Sequence, residues 1–352
     1  MRTAPRRRAL RPLVAGAAVT LLLAACATGA PEGGSDTASA PAAGDGAFPV
    51  TLENTFGETT IEQQPEAVAS VAWGNHDVPL ALGIVPVGMA AQTFGDDDAD
   101  GIHPWTYAAL EELDATGDAL PDLFDETAGI DFEAVANTAP DVVLAAYSGL
   151  SEDDWTTLSE IAPTVSFPEI AWGTNWRDMA LTNGRALGLE DEAQAKVDEV
   201  EAAIAEAVES RPDIAGKSVA YTWFDPTDLS TFAVYTSVDA RVQLLSDLGM
   251  TVPESIASLE DDGQFYLDIS AEQADTIADA DIVISYGDEN LLATLQADPL
   301  LSKIPAVANG SVVILPDNTP LASATSGPTV LSIPWALDDY LDLFQAAAQN
   351  VK

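Results

Sequence analysis

The chain has 352 residues, with 13 Lys and Arg against 57 Asp and Glu, and is 47% hydrophobic. A chain that long and that apolar can bury a core large enough for two domains and is not a disordered acidic tail. A formal charge of −44 excludes nucleic-acid binding as a main role, a single cysteine excludes an internal disulfide, and two histidines, His76 and His103, cannot build a three-imidazole metal site.

Five of the cations, Arg2, Arg6, Arg7, Arg8 and Arg11, precede an apolar run from Leu13 to Ala25. The run is shorter than the ~20 residues needed to span a bilayer, so residues 1–25 read as an export signal. Removing it takes the formal charge from −44 to about −49. Leu23-Ala24-Ala25-Cys26 resembles the lipobox of bacterial lipoproteins, which implies a diacylglycerol on the Cys26 sulfur and an extracytoplasmic, lipid-anchored mature protein. Residues 26–47, rich in Gly, Ser, Pro and Ala, are expected to be a flexible spacer.

Beyond the spacer, short β-branched runs alternate with helical patterns, the mark of an α/β fold. The candidate strands and helices of the first half are a strand at Val68–Ala72, a helix at Val78–Leu82, a strand at Val85–Met89, a helix at Asp131–Asn137, a strand at Asp141–Ala146 and a helix at Trp155–Ile161. Residues 175–211 form a long helical stretch, interrupted near Gly184 and Gly188-Leu189, with Val197, Val200, Ile204 and Val208 on one stripe. The second half places strands at Val219–Trp223, Thr231–Thr236, Asp281–Ser285 and Val312–Leu315, and helices at Val238–Leu248, Ala271–Ile277 and Leu331–Ala348. In each half a helix leads into an Asp-started strand that ends in tyrosine, Asp141 to Tyr147 and Asp281 to Tyr286. The expected organisation is therefore an N-terminal α/β lobe (48–174), a helical connector (175–211) that permits only modest opening, and a C-terminal α/β lobe (212–352), with a ligand cleft between the lobes.

Aromatic residues gather at the carboxyl ends of these strands, where open α/β sheets bind ligands. Trp73, Tyr147, Trp223, Tyr235 and Tyr286 occupy such ends, and Trp105, Trp172 and Trp176 lie in loops near helix starts. Cations are scarce enough that Arg241, after Tyr235-Thr236-Ser237, stands out as a guanidinium for an anionic oxygen; Arg177 reads as a surface salt bridge. Gly74-Asn75-His76-Asp77 looks like the metal-binding tetrapeptide of calcineurin-like phosphoesterases, but that two-metal chemistry needs more histidines. Asp96-Asp97-Asp98-Ala99-Asp100-Gly101 matches the first half of a calcium loop, yet Tyr107 stands where a bidentate Glu belongs, so it reads as a solvated acidic turn. No catalytic motif is evident, and the reading is a binding protein with no metal ligands or cofactor of its own.

An ordered set of short segments resembles the iron-siderophore ABC-transporter substrate-binding lipoproteins. They include Phe56-Gly57-Glu58-Thr59-Thr60-Ile61, Ala81-Leu82-Gly83-Ile84-Val85-Pro86-Val87-Gly88, Pro104-Trp105, Ile130-Asp131-Phe132-Glu133, Ala139-Pro140-Asp141-Val142-Val143-Leu144-Ala145, Leu158-Ser159-Glu160-Ile161-Ala162-Pro163-Thr164-Val165 and Pro305-Ala306-Val307. The resemblance implies two lobes joined by a helix, a ferric siderophore in the cleft with its iron already chelated, and delivery to a membrane permease and its ATPase. It also implies a docking carboxylate on each lobe: Glu111 or Glu112 on the first, and on the second Asp247, because Ser246 holds the position where a Glu is expected. So acidic a protein disfavours anionic chelates, which points to neutral or cationic ferric hydroxamates. Haem or a corrinoid is the alternative cargo, with Tyr147 or His76 as candidate axial ligands; an exported metallophosphoesterase is the contrasting class.

Overall fold

The computed structural model describes residues 47–260 and 263–352. The export signal, Cys26 and all but the last residue of the spacer lie outside the described residues. A hairpin of β1 (Val50–Asn54) and β2 (Gly57–Ile61) opens the body, its turn held by Asn54 Oδ1 accepting from the Phe56 N–H at 3.0 Å. Next come β3 (Val68–Ser70), β4 (Gly88–Ala90), β5 (Asp122–Phe124), β6 (Val142–Ala145) and β7 (Thr164–Ser166), a fully parallel sheet in the order β5-β4-β3-β6-β7. Every residue of β3, β4, β6 and β7 is buried, as expected of strands covered on both faces. The strand expected at Val85–Met89 begins later because Pro86 has no N–H for a ladder; Val87 N–H, donating to Val68 O at 2.8 Å, is the first to pair.

The helices of this half are α1 (Asp77–Ala81), α2 (Pro104–Glu112), α3 (Phe132–Asn137) and α4 (Glu152–Ile161). Asp131 caps α3, and Ser151 with Asp154 forms a capping box on α4. The long helical stretch resolves into α5 (Trp176–Ala186) and α6 (Glu190–Glu209), broken where Gly188 takes φ +73°. Gly184 does not interrupt α5. A Cβ there would lie 2.3 Å from that of Ala193, so this glycine lets the two helices approach closely. α5 packs against α1, β1 and β7 and so belongs to the first lobe; α6 alone, about 30 Å long, carries the chain across.

The second lobe contains β8 (Val219–Asp225), β9 (Asp228–Tyr235), β10 (Tyr266–Ser270), β11 (Ile282–Gly287) and β12 (Val312–Pro316), in the order β10-β9-β8-β11-β12. Here β8, β11 and β12 are parallel and β9 is antiparallel to both its neighbours. α7 (Ala240–Asp247), α8 (Glu254–Ala257), α9 (Leu291–Ala297), α10 (Pro305–Asn309), α11 (Pro320–Ser326) and α12 (Ser332–Ala348) complete the chain. The α-helix expected at Ala271–Ile277 is a 3-10 segment kinked at Gln273.

The carboxyl-terminal segment does not stay within its own lobe. Asn318 Oδ1 accepts from Gly95 N–H at 2.9 Å, Ser323 Oγ meets His103 Nε2 at 2.9 Å, Thr329 Oγ1 donates to Asp77 at 2.6 Å, and the Trp335 ring lies 5.2 Å from that of Trp105. α12 also packs along α6. The lobes are thus joined through a buried seam as well as through the connector. Among the described residues no helix is long and apolar enough to cross a membrane.

Candidate ligand-binding cleft

Strand order reverses between β3 and β6 in one lobe and between β8 and β11 in the other, and chains diverge from such a switch point to leave a crevice at the carboxyl ends. The Asp that starts the repeated element has the same job in both lobes. Asp141 Oδ2 accepts from the Glu66 and Ala67 N–H groups at the entry to β3, and Asp281 Oδ2 from Ser218 N–H at the entry to β8. At the other end of the first switch point, buried Asn75 donates to Val71 O and Tyr147 O, each at 2.9 Å, and accepts from Tyr147 N–H at 3.2 Å. This clamp fixes the backbone that carries Trp73 and Tyr147. Ala72 (φ +60°) and Trp172 (φ +60°) both sit in the left-handed region, a strain that persists where surrounding structure holds it, here aiming two indoles at one space.

Rings from the two lobes meet there. Trp172 lies edge-on to Trp73 (6.2 Å between centroids) and to Tyr147 (5.3 Å); Trp73 stacks on Phe94 at 6.1 Å. Phe94 reaches Tyr286 of the second lobe at 6.2 Å, and the series continues through Tyr221, Tyr235 and Phe265 at 5.9, 5.6 and 6.3 Å. Trp73, Tyr147, Trp172, Arg241, Phe265 and Ser326 line a cavity of about 280 Å³. Two more, of about 290 and 70 Å³, share Trp73 with it. Arg241 lies 3.7 Å over the Tyr235 ring, while its Nε and Nη2 grip both oxygens of buried Asp239 at 2.8 and 2.6 Å. Burial alone would lower the guanidinium pKa, but Asp239 holds it well above its ordinary value. The charge facing the cavity is therefore already balanced, and Nη1 lies outside the grip.

Of the expected site residues, Trp73, Tyr147, Trp172 and Arg241 line one cavity, with Tyr235 and Tyr286 in ring contact beside it. The Tyr286 hydroxyl is already hydrogen-bonded to Tyr221 and Ser326. Trp223, 46% exposed, lies on the Tyr221 face of β8 but lines none of these cavities. Trp105 and Trp176 are interior residues. Trp105 donates to Asp77 at 2.9 Å, and Trp176, 1% exposed, donates to Asp247 at 2.9 Å. Asp247, 20% exposed, also receives Arg177 Nη1 at 2.7 Å and so is already paired within the fold. Glu111 and Glu112 are exposed near the end of α2.

The tetrapeptide at Gly74–Asp77 is structural. Asn75 is the clamp described above, Asp77 anchors the seam, and His76 is fully buried with its pKa lowered by burial. His76 and His103 border a void of about 10 Å³, too small for a haem. Asp96, Asp98 and Asp100 draw together within 4.8 Å, but Asp96 is already accepting from Ala99 and Gly101 N–H and Asp100 from Ile102 N–H, as in a self-capped turn. Phe94, Phe265, Ser326, Gln92 and Glu126 also border the cavities, unforeseen from sequence. All five lie in loops or at a helix end, where no period marks them; only the Phe types carried any signal.

Residues 68–319 match the periplasmic binding protein family. The chain is 25% identical over 277 residues to the Fe(3+) dicitrate-binding periplasmic protein FecB of Escherichia coli (strain K12), covering 78% of this chain and 84% of that one. Among solved structures, PiaA of Streptococcus pneumoniae TIGR4 in complex with ferrichrome is 44% identical with a TM-score of 0.82, covering 86% of this chain and 99% of that one. A periplasmic solute binding protein of Mycobacterium smegmatis is 25% identical with a TM-score of 0.67, covering 85% and 98%. The family match takes in both five-stranded sheets and the cleft between them, so this chain belongs to the periplasmic binding proteins.

Proposed function

We propose that this protein captures a ferric siderophore of the hydroxamate type and delivers it to an ABC permease and its ATPase, while a lipid on Cys26 holds it at the outer face of the cell membrane. The observation that carries this reading is the ring-lined cavity shared by both switch points, with a single arginine whose charge Asp239 already neutralises. Such a cavity has apolar surface for a bulky chelate and an Arg241 N–H for its oxygens, but no surplus cation for a trianionic catecholate complex. The ligand brings its own iron, so the protein supplies shape and hydrogen bonds and carries out no reaction. Support also comes from the 44% identical PiaA, solved with ferrichrome. Glu111 and Glu112 remain the candidates for permease contact on the first lobe, and Asp247, paired with Arg177, on the second.

The test is a tryptophan fluorescence titration. Ferrichrome should quench Trp73 and Trp172, and a ferric tris-catecholate should not. Quenching by the catecholate alone would reverse the assignment of ligand class. A Soret band on mixing with haem, lost on Tyr147→Phe, would replace it with haem transport. For the anchor, mass spectrometry of the membrane fraction should find acylated Cys26, and a soluble unmodified form would refute that part.

A further inference from the structure

The cleft contains one polar group that the fold itself does not satisfy. Glu126 follows β5 and is largely buried beside Trp73, on the border between the cavities of about 290 and 70 Å³. Its Oε2 accepts the N–H of Ala72 at 2.9 Å, which helps hold the left-handed residue preceding Trp73. Its Oε1 is shielded from bulk solvent and has no hydrogen-bond partner. Among the residues lining these two cavities the only other titratable group is Asp154 of α4, whose carboxylate takes the Ser151 N–H and hydroxyl; Gln92, Thr93, Thr127 and Ser323 are the neutral polar neighbours, and exposed Asp125 precedes it in the chain. No Lys or Arg among the described residues lines either cavity. A buried carboxylate oxygen without a partner is costly, and burial pushes the Glu126 carboxyl up to about 7. Nothing in the fold compensates for this cost, whereas a guest that donates a hydrogen bond would.

Resting on the siderophore reading above, we propose that Glu126 is a specificity-determining residue of the cleft: Oε1 accepts a hydrogen bond from an N–H on the periphery of the ferric chelate, either a backbone amide or a protonated amine. Arg241 and Glu126 then present opposite polarities to the guest, a donor from the second lobe for chelate oxygens and an acceptor from the first for ligand nitrogen. Chelates whose periphery carries carboxylates are rejected, because they would meet Glu126 with like charge.

Glu126→Gln is the discriminating variant, because its amide oxygen can keep the Ala72 contact while its NH₂ replaces the acceptor with a donor. Ferrichrome supplies peripheral amides, ferrioxamine B an ammonium, and N-acetylated ferrioxamine B the same iron centre without that charge. Against wild type, the variant should bind whichever of these Glu126 serves about 10-fold more weakly or worse. A preference for ferrioxamine B over its acetylated form that disappears in the variant identifies the ammonium; an equal loss for ferrichrome identifies the amide. Wild-type affinity should also rise between pH 5.5 and 8 as Glu126 ionises, and the variant's profile should be flat. Unchanged affinities and an unchanged pH profile for all three chelates in Glu126→Gln overturn the proposal and leave the siderophore reading intact. Failure of the wild type to bind any of the three overturns both.

Discussion

Asp77 joins the two lobes at a point that can be weighed. Its Oδ2 accepts from Trp105 Nε1 at 2.9 Å and Thr329 Oγ1 at 2.6 Å, and its Oδ1 from Thr106 Oγ1 at 2.8 Å, all out of contact with solvent. Asp77→Ala removes the acceptor from all three at once. The two hydroxyls can rotate toward other oxygens, but the indole N–H of Trp105 is fixed by its ring, which stacks on His103 at 4.3 Å. With about 1–3 kcal/mol for each orphaned buried donor and partial rescue of the hydroxyls, the variant should lose about 3–5 kcal/mol. Thr329→Val removes one arm together with the acceptor its hydroxyl offers the Leu331 and Ser332 N–H groups, and should cost about 1.5–3 kcal/mol. Because only the bond to Asp77 is shared between the two variants, a double-mutant cycle should return a coupling of about 1 kcal/mol. Urea denaturation followed by circular dichroism gives all four stabilities. A loss below about 1 kcal/mol for Asp77→Ala, with no coupling to Thr329, would show that this part of the seam does not bear on stability.

Other expectations follow from the same geometry. Glu126 has its folded pKa raised from 4.5 to about 7, so the folded state holds an extra proton between those values and stability falls as pH rises through that window, by about 3 kcal/mol in all. Glu126→Gln should remove that decline, raising the melting temperature at pH 8 and not at pH 4; parallel curves for the two proteins would refute it. Gly149→Ala places a Cβ 2.2 Å from the Trp172 indole nitrogen at a residue with ordinary backbone, so the ring rather than the chain must yield. Overpacking of this kind costs about 1–3 kcal/mol and should shift tryptophan emission while weakening ligand binding, and a variant with native emission and affinity would contradict it. Small-angle scattering of the body should give a radius of gyration near 19 Å, moving by less than about 1 Å on ligand addition, because seam and connector both resist opening. Compaction by several ångströms would mean that the seam releases.

The alternation of strands and helices and the two-lobed plan were legible in the amino-acid pattern, because hydrophobic period is a local property. The aromatics that end the Asp-led strands in both halves, Tyr147 and Tyr286, lie at the two switch points. Three-residue strands such as β5 and β7 escaped, being too short to show a period, and the Gly184 break was misread because a glycine that permits close helix packing looks like one that ends a helix.

Tertiary structure alone decided which polar and aromatic residues serve the cleft and which serve the interior. Trp105 and Trp176 look in sequence like Trp73 and Trp172, yet each of the first pair donates to a carboxylate from a distant segment, buried Asp77 or half-buried Asp247, and those partners are 28 and 71 residues away. The same holds for the seam, built across 252 residues between Asp77 and Thr329, and for Glu126, whose importance lies in a partner it lacks. Burial and hydrogen-bond satisfaction depend on what the rest of the chain brings alongside a side chain, and only the folded arrangement determines that.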